Sequence, residues 1–378
     1  LDGQLTKTPL GKGHVYDEVV RKNRSVKKIA FPNVQVGSVI ELRYTVQTKR
    51  FFSTRPWRFQ KTIPVRHSVL TLVANPFYTY AFILKGADKF DSYTAVDDSF
   101  DTQFLAVKYK NTTYKFVMNN LPAFRDEEFL PNTADYMIAL YFEMSKYYSY
   151  SMSKYMDLMS TWPKLCTELL KDSQFGKYID AAAKEGKNVI PSLQLDGKPD
   201  AEKVKLITQY VKNMYSWNDF YSIYASKKIS AFLKEKTGSG GDINLYLVGL
   251  LKAAGLNARP VVLSIRSQGK VYKPYPFVSF FSYVIGMVEA DGKTYYVDAV
   301  NPFTAFDEVA PESANVEGLV VAKNDAEQWV FVTSNKVSVE HNEVAIDIQP
   351  ETGSTVINLT QTTQGNDALR QRTKYSTS

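Results

Sequence analysis

The residues best placed for chemistry lie in one loop, Lys236-Thr237-Gly238-Ser239-Gly240-Gly241-Asp242, which leads into the apolar run Ile243 to Ala254. A loop of small residues feeding a helix start aims free backbone N–H groups and the positive dipole end outward, an arrangement suited to an anion, an oxyanion or a nucleophile. No Lys-Ser/Thr pair follows the glycines, so the loop is not a phosphate-binding P-loop. The plain alternative is a flexible entry loop with Asp242 in the first turn to complement the dipole. The chain's thiol and imidazole resources are small. Cys166 is the one cysteine, and His14, His67 and His341 are far apart in sequence. A disulfide framework and a zinc site on paired thiols are excluded, and a histidine-rich metal cluster is not expected. No Asp-rich calcium loop stands out either. No metal and no cofactor is expected.

Composition narrows the class. The 378 residues are 44% hydrophobic and 22% charged, as in an ordinary folded protein of two or three domains. The longest uncharged stretch, Ser68 to Leu84, is interrupted by Asn75-Pro76. The most apolar, Pro274 to Val288, is too short for a bilayer, so no transmembrane helix is expected. The net charge of +7 is dispersed except at Arg21 to Lys28, read as a solvated surface loop, and nucleic acid is not an expected partner. Scarce cysteine fits a reducing compartment or a bacterial envelope equally. The sequence starts at Leu1 with neither Met nor a signal-like apolar segment, which reads as a trimmed mature chain.

The elements that must position the loop follow from periodicity. Ile40, Leu42, Tyr44 and Val46 alternate with polar residues and predict a strand over Ser38 to Thr48. Val65 to Ala74, Thr79 to Leu84, Phe104 to Tyr109, Thr113 to Met118 and Met137 to Glu143 predict further short strands, hence an antiparallel sandwich ending near Ser149. The period then changes. Ser151 to Leu170 is helix-like with a break or restart at Pro163. Pro199-Asp200 opens a helix carrying Val204, Ile207, Val211 and Met214, and Ser226 is expected to cap another over Lys227 to Glu235. Gly241 to Ala254 is apolar around most of its circumference and stops at Gly255, so it is expected as a buried central helix. Strands are expected over Ala258 to Arg266, Phe277 to Glu289 and Lys293 to Ala299, the last two joined by a hairpin at Asp291-Gly292. A β segment over Glu343 to Thr360 and a polar tail complete the chain.

Taken with its surroundings, the loop is more specific. Gly238 to Asp242, Leu245 to Leu251 and Gly255-Leu256-Asn257-Ala258-Arg259 resemble the core of the transglutaminase-like family, without a gap from 238 to 259. In that family a Gly-x-Cys-x-Asp loop opens a leucine-rich helix. Phe281 to Ile285 resembles the strand carrying the family's histidine, and Asp291 to Ala299 the hairpin and strand carrying its aspartate. Pro32 to Glu41, Trp57 to Gln60, Ile63 to Val65 and Trp217 to Tyr224 resemble bacterial envelope proteins in which a β-sandwich domain of unknown function precedes such a core. The fold class so implied is α+β. Residues 1–150 are a β-sandwich lacking its first strands, 151–334 a papain-like transglutaminase core, and 335–378 the start of a C-terminal β module.

The same resemblance places the family's nucleophilic cysteine at Gly240 and its histidine at Tyr283, leaving the aspartate at Asp298. Thiol chemistry needs a thiolate to attack and an imidazole to move the proton, while the aspartate only orients the imidazole. No catalytic residues are therefore expected, and the resemblance implies a pseudoenzyme of the periplasm or cell envelope. Cys166 is read as a core residue. Three readings stay open. A retained cleft, widened at Gly240 and walled by Tyr283, would offer Trp217, Ser239, Gly240, Asp242, Tyr283 and Asp298 to a peptide or glycan. The chain would otherwise be a scaffold for an envelope protein. The outsider is a hydrolase using Asp242 and Asp298 as paired carboxylates.

Overall fold

The computed structural model describes residues 6–21, 24–47, 55–104, 107–128, 130–323, 326–334 and 337–376. The chain divides into two compact units, Leu1–Phe51 and Phe52–Ser378, so the division falls inside the expected first domain rather than at residue 150. In the first unit, Val15–Arg21 pairs antiparallel with Arg24–Ile29. Arg24 to Lys28 of the basic run thus lies in a strand rather than the expected loop: Lys27 Nζ sits 2.7 Å from the Asp17 carboxylate directly across the ladder, and Lys28 pairs with Glu18. The strand expected over Ser38 to Thr48 is not formed. Residues 38–47 pair with no strand among the described residues, and Val39, Ile40, Leu42, Tyr44 and Val46 are all exposed. Alternation supplies an apolar face, but a strand also needs a ladder partner. Thr48 lies outside the described residues.

The sandwich expected from the short strands lies in the second unit. One sheet holds Ala139–Ser149 flanked by Tyr78–Lys85, Trp57–Arg58 and Lys154–Asp157, and the other orders Val65–Ala74, Thr112–Leu121 and Ser92–Asp97. Between them Phe59, Phe116, Met118, Leu121, Leu140 and Phe142 form a core, with Phe82 and Phe90 edge-on or tilted against Phe116 at 5.1 and 5.0 Å. Lys154–Asp157 is a strand where a helix was expected, so the sandwich extends to Asp157.

The second core starts with α1 (Trp162–Lys171), where Thr161 caps the helix and Pro163 occupies the first turn, the one place its missing N–H costs nothing. Then come α2 (Gly176–Val189), α3 (Asp200–Met214), α4 (Ile229–Glu235) and α5 (Gly240–Ala253). Helix α2 was not expected from the sequence. Its buried residues Tyr178, Ile179, Ala182 and Gly186 have helical spacing, but small residues weaken the apolar signal. Ser226 does not cap α4, because its hydroxyl is given to Asp242. Five antiparallel strands follow: β1 (Asn257–Leu263), β2 (Tyr283–Ala290), β3 (Lys293–Val297), β4 (Val316–Val320) and β5 (Trp329–Val332), in the spatial order β3-β2-β1-β4-β5. The expected strand from Phe277 begins only at Tyr283, since Val278–Phe280 forms a 3-10 turn. Residues Val339–Gln349 and Ser354–Gln364 form a hairpin, and Gly365–Ser376 is a helix where a polar tail was expected.

Helix α5 is the centre of this core. Ile243, Leu245, Leu247, Val248, Leu250 and Leu251 are completely buried against the sheet, α2 and α3. It stops at Gly255, whose φ of +79° suits a residue without Cβ. Gly249 fixes the α2 contact: a Cβ there would overlap that of Ala182 and stand 2.8 Å from the Ile179 carbonyl oxygen. Gly249→Ala therefore opposes two effects, a helix-propensity gain of about 1 kcal/mol and an overpacking loss of about 1–3 kcal/mol. The obstacle is backbone as well as a side chain, so we expect net destabilisation, read as a lower denaturation midpoint in urea. A raised midpoint would contradict this packing.

Candidate functional site

Three elements converge at the start of α5. Gly240 is its first residue, Tyr283 opens β2, and Asp298 follows β3. A capping box fixes the helix start: the Ser239 hydroxyl accepts from Asp242 N–H, and the Asp242 carboxylate accepts from Ser239 N–H at 2.8 Å. The β1–β2 register places Tyr283 opposite Leu263. The Tyr283 hydroxyl donates to Asp298 Oδ1 at 2.9 Å. Asn244 Nδ2 reaches the Tyr283 hydroxyl, the Val284 carbonyl and Asp298 Oδ1 at 3.1, 2.9 and 3.0 Å, while its Oδ1 accepts from Ala299 N–H. All of Asn244, Tyr283 and Asp298 are at most 2% exposed.

The floor expected to be widened by Gly240 is filled. A Cβ on residue 240 would collide with Cε2 of Tyr283 and stand 3.0 Å from Cδ2. Tyr283 has no exposed surface, so it is a plug rather than the expected cleft wall. The helix-start donor is also taken: Gly240 N–H bonds the Phe220 carbonyl at 2.9 Å, and the Trp217 indole N–H bonds the same oxygen at 3.2 Å. Tyr221 then packs edge-on against Tyr283 at 5.0 Å and Trp217 against Tyr221 at 4.9 Å. Of the six residues expected to meet a ligand, five (Ser239, Gly240, Asp242, Tyr283, Asp298) are buried, and Trp217 alone is partly exposed.

The two aspartates belong to separate networks. Asp242 accepts from Ser226 N–H, Lys227 N–H and the Ser226 and Ser239 hydroxyls as well as Ser239 N–H, so it ties the 226–239 segment to the helix. Asp298 Oδ2 has no hydrogen-bond partner among the described residues. Burial pushes the Asp298 carboxyl above the usual range, against the pull of its donors Asn244, Val300 N–H and Tyr283 and of the Lys212 cation. Burial and the neighbouring Asp298 push the Tyr283 phenol well above 10, so it stays protonated and is no base at neutral pH. Among the described residues no hydrogen bond joins Asp242 to Asp298, the two residues expected as paired carboxylates.

The sequence reading missed Asn244, Phe220, Tyr221 and Lys212. Asn244 carried a legible signal, a polar residue inside a run that buries every neighbour; a carbonyl acting through Phe220 carried none. Cys166 sits in the core as expected, its thiol pushed up to about 11 by burial and 3.7 Å from the Val320 carbonyl. His67 bonds Asn119 on the sandwich, and His341 faces Glu343 on the C-terminal hairpin. Among the described residues no group of three or more His, Cys, Asp or Glu is placed to hold a metal.

Lys212 is buried and donates to the Thr304 carbonyl and hydroxyl and the Ala305 carbonyl. Burial lowers it to about 8, against the raising influence of Asp298 and Asp307. Below that value the folded chain carries a buried cation. Between about 8 and the ordinary 10.5 the unfolded chain holds the extra proton, so Lys212's contribution to stability rises with pH. Urea unfolding of wild type and Lys212→Met at pH 7 and pH 9.5 should show the difference moving in favour of wild type at the higher pH. A constant difference would contradict the burial assignment.

Residues 2–125 match the model of a domain of unknown function with a solved structure, DUF3857, and residues 188–331 match that of the transglutaminase-like superfamily. Among curated proteins none matches the chain. Two solved structures are similar. A candidate protease from Parabacteroides distasonis is 16% identical, with a TM-score of 0.49 over 75% of this chain and 48% of the other. A candidate cysteine protease from Cytophaga hutchinsonii is 10% identical, with a TM-score of 0.23 over 79% of this chain and 89% of the other. The chain spans about half the length of the Parabacteroides protein. Among the described residues no helix is long and apolar enough to cross a membrane. The α+β architecture and both family matches agree: the chain carries a transglutaminase-like domain behind an N-terminal DUF3857 domain.

Proposed function

We propose that this protein is a non-catalytic transglutaminase-like module of the bacterial cell envelope that binds a ligand rather than cleaving one. The observation that carries the reading is the contact of Tyr283 with Gly240. The position to which the sequence resemblance assigns the family's nucleophile has no side chain, and the ring to which it assigns the imidazole occupies the space a side chain there would need. Three further features support it. Asp298, the retained member, receives a phenol instead of an imidazole N–H. The Gly240 N–H at the helix start, which an oxyanion would need free, already bonds the Phe220 carbonyl, as does the Trp217 indole N–H. Cys166 lies in the core with its thiol protonated at neutral pH. The envelope location rests on the resemblance of the domain order.

Two details change with the geometry. A peptide or glycan would not be held at Gly240, Tyr283 and Asp298 themselves, which have almost no surface to offer. The carboxylate-hydrolase reading loses Asp242, whose oxygens are committed to five donors. The scaffold reading keeps one favourable observation. On the C-terminal hairpin Val344 faces Leu359 and Ile346 faces Ile357 across the ladder, giving one exposed apolar face beside a polar one bearing Glu343, Asp347 and Asn358.

Peptide hydrolysis and amine incorporation should both be absent in the unmodified protein. A Gly240→Cys/Tyr283→His variant, in which the smaller ring makes room for the thiol, should gain weak turnover that iodoacetamide abolishes. Turnover by the unmodified protein would overturn the non-catalytic reading.

A further inference from the structure

A cavity of about 290 Å³ lies at the seam between the β-sandwich and the transglutaminase-like core. Pro131 and Asp135 come from the sandwich side, and the 264–271 segment, the start of β4 and Phe331 of β5 from the other. Its walls are held in place. Asn132 Nδ2 bonds the Ser267 carbonyl at 2.6 Å, and both Asp135 oxygens accept Lys270 N–H at 3.0 Å. Gly269, at φ +90°, packs so close to Asp135 that a Cβ would stand 2.6 Å from its Oδ1. The pocket is therefore preformed rather than dependent on a ligand to order it.

Charge within it is unbalanced. The Asp135 carboxylate is engaged by Lys270 N–H and by Lys85 at 3.5 Å, and Glu317 by Lys273 at 2.6 Å. Half-buried Arg266 has no hydrogen bond or ion pair from its guanidinium among the described residues, and the Lys270 ammonium meets only the Tyr136 ring at 5.8 Å. Ser264, only 5% exposed, lines the same cavity with a hydroxyl that no described residue bonds. A guanidinium without a described partner and the Ser264 hydroxyl lining the cavity, beside the apolar Val271, Val316 and Phe331, suit an anion with an apolar body. The two engaged carboxylates disfavour a dianion such as phosphate. The apolar walls disfavour a sugar acid. A free ammonium would be repelled by Arg266 and Lys270.

We infer that this pocket binds the C-terminal carboxylate of a peptide ending in an apolar residue, with Arg266 taking the carboxylate as a fork and Ser264 donating to it. This deepens the proposed binding function and rests on it only in the choice of peptide.

Titration calorimetry with N-acetyl-alanyl-leucine should give saturable binding. The C-terminal amide of the same dipeptide, and the acid on Arg266→Gln protein, should each bind at least about tenfold more weakly, the loss of one charge-assisted pair. Ser264→Ala should weaken it by a smaller factor, and phenyl phosphate should bind more weakly than the acid. The fold of each variant is checked by its thermal unfolding. Equal binding of acid and amide, equal binding by an Arg266→Gln protein that unfolds like wild type, preference for phenyl phosphate, or no binding of the acid would each overturn the inference. Cleavage of the dipeptide in the same cell would instead refute the non-catalytic reading, while leaving the Arg266 comparison to decide this one.

Discussion

One aromatic ring sets the character of this molecule's centre. Tyr283 needs a neighbour without a side chain, and Gly240 supplies it. The ring can be seated so deeply only because its hydroxyl finds Asp298 and Asn244, which remove the cost of burying a phenol. Asn244 in turn holds the Val284 carbonyl and the Ala299 N–H, so helix α5, strand β2 and the residues after β3 are tied at one point. Each partner is explicable only with the others present, which is the mark of a satisfied polar network.

The loop ahead of the helix follows from the same constraint. An α-helix start leaves backbone donors that something must satisfy. Asp242 and Ser239 serve two of them through the capping box, and Phe220 serves Gly240. In a thiol enzyme the N–H of the nucleophile would be kept free for the reacting carbonyl. Here a carbonyl of the chain itself is there, with Trp217 adding a second donor and Tyr221 covering the ring. Stability and closure of this segment come from the same contacts.

The fold was legible where one physical signal acted alone. The all-round apolar run of α5, the Asp291-Gly292 hairpin and the strands expected over 65–74, 79–84, 113–118 and 137–143 appear close to where period and turn chemistry placed them. The strand expected over Phe104 to Tyr109 is instead two short strands, Thr102–Phe104 and Val107–Tyr109, paired with each other. The reading failed where a partner decides. Residues 38–47 alternate well but have no ladder, α2 is built on alanine and glycine that pack by being small, and Ser226 spends its hydroxyl on Asp242 rather than on α4. The site was legible as positions but not as a volume. Glycine at 240 and tyrosine at 283 suggested an opened cleft, whereas only coordinates show the second filling the first. The Arg266 pocket was invisible because its residues are spread from 131 to 331.

The central claim is that residues 240 and 283 exclude each other's side chains, and a double-mutant cycle tests it most directly. Gly240→Ala, Tyr283→Ala and the double variant would be unfolded in urea alongside the wild type. The account predicts that Gly240→Ala costs at least about 1–3 kcal/mol beside Tyr283 and much less once the ring is removed, giving a coupling energy above about 1 kcal/mol. Additive costs, with Gly240→Ala equally damaging or equally harmless in both backgrounds, would contradict it and return position 240 to an open cleft.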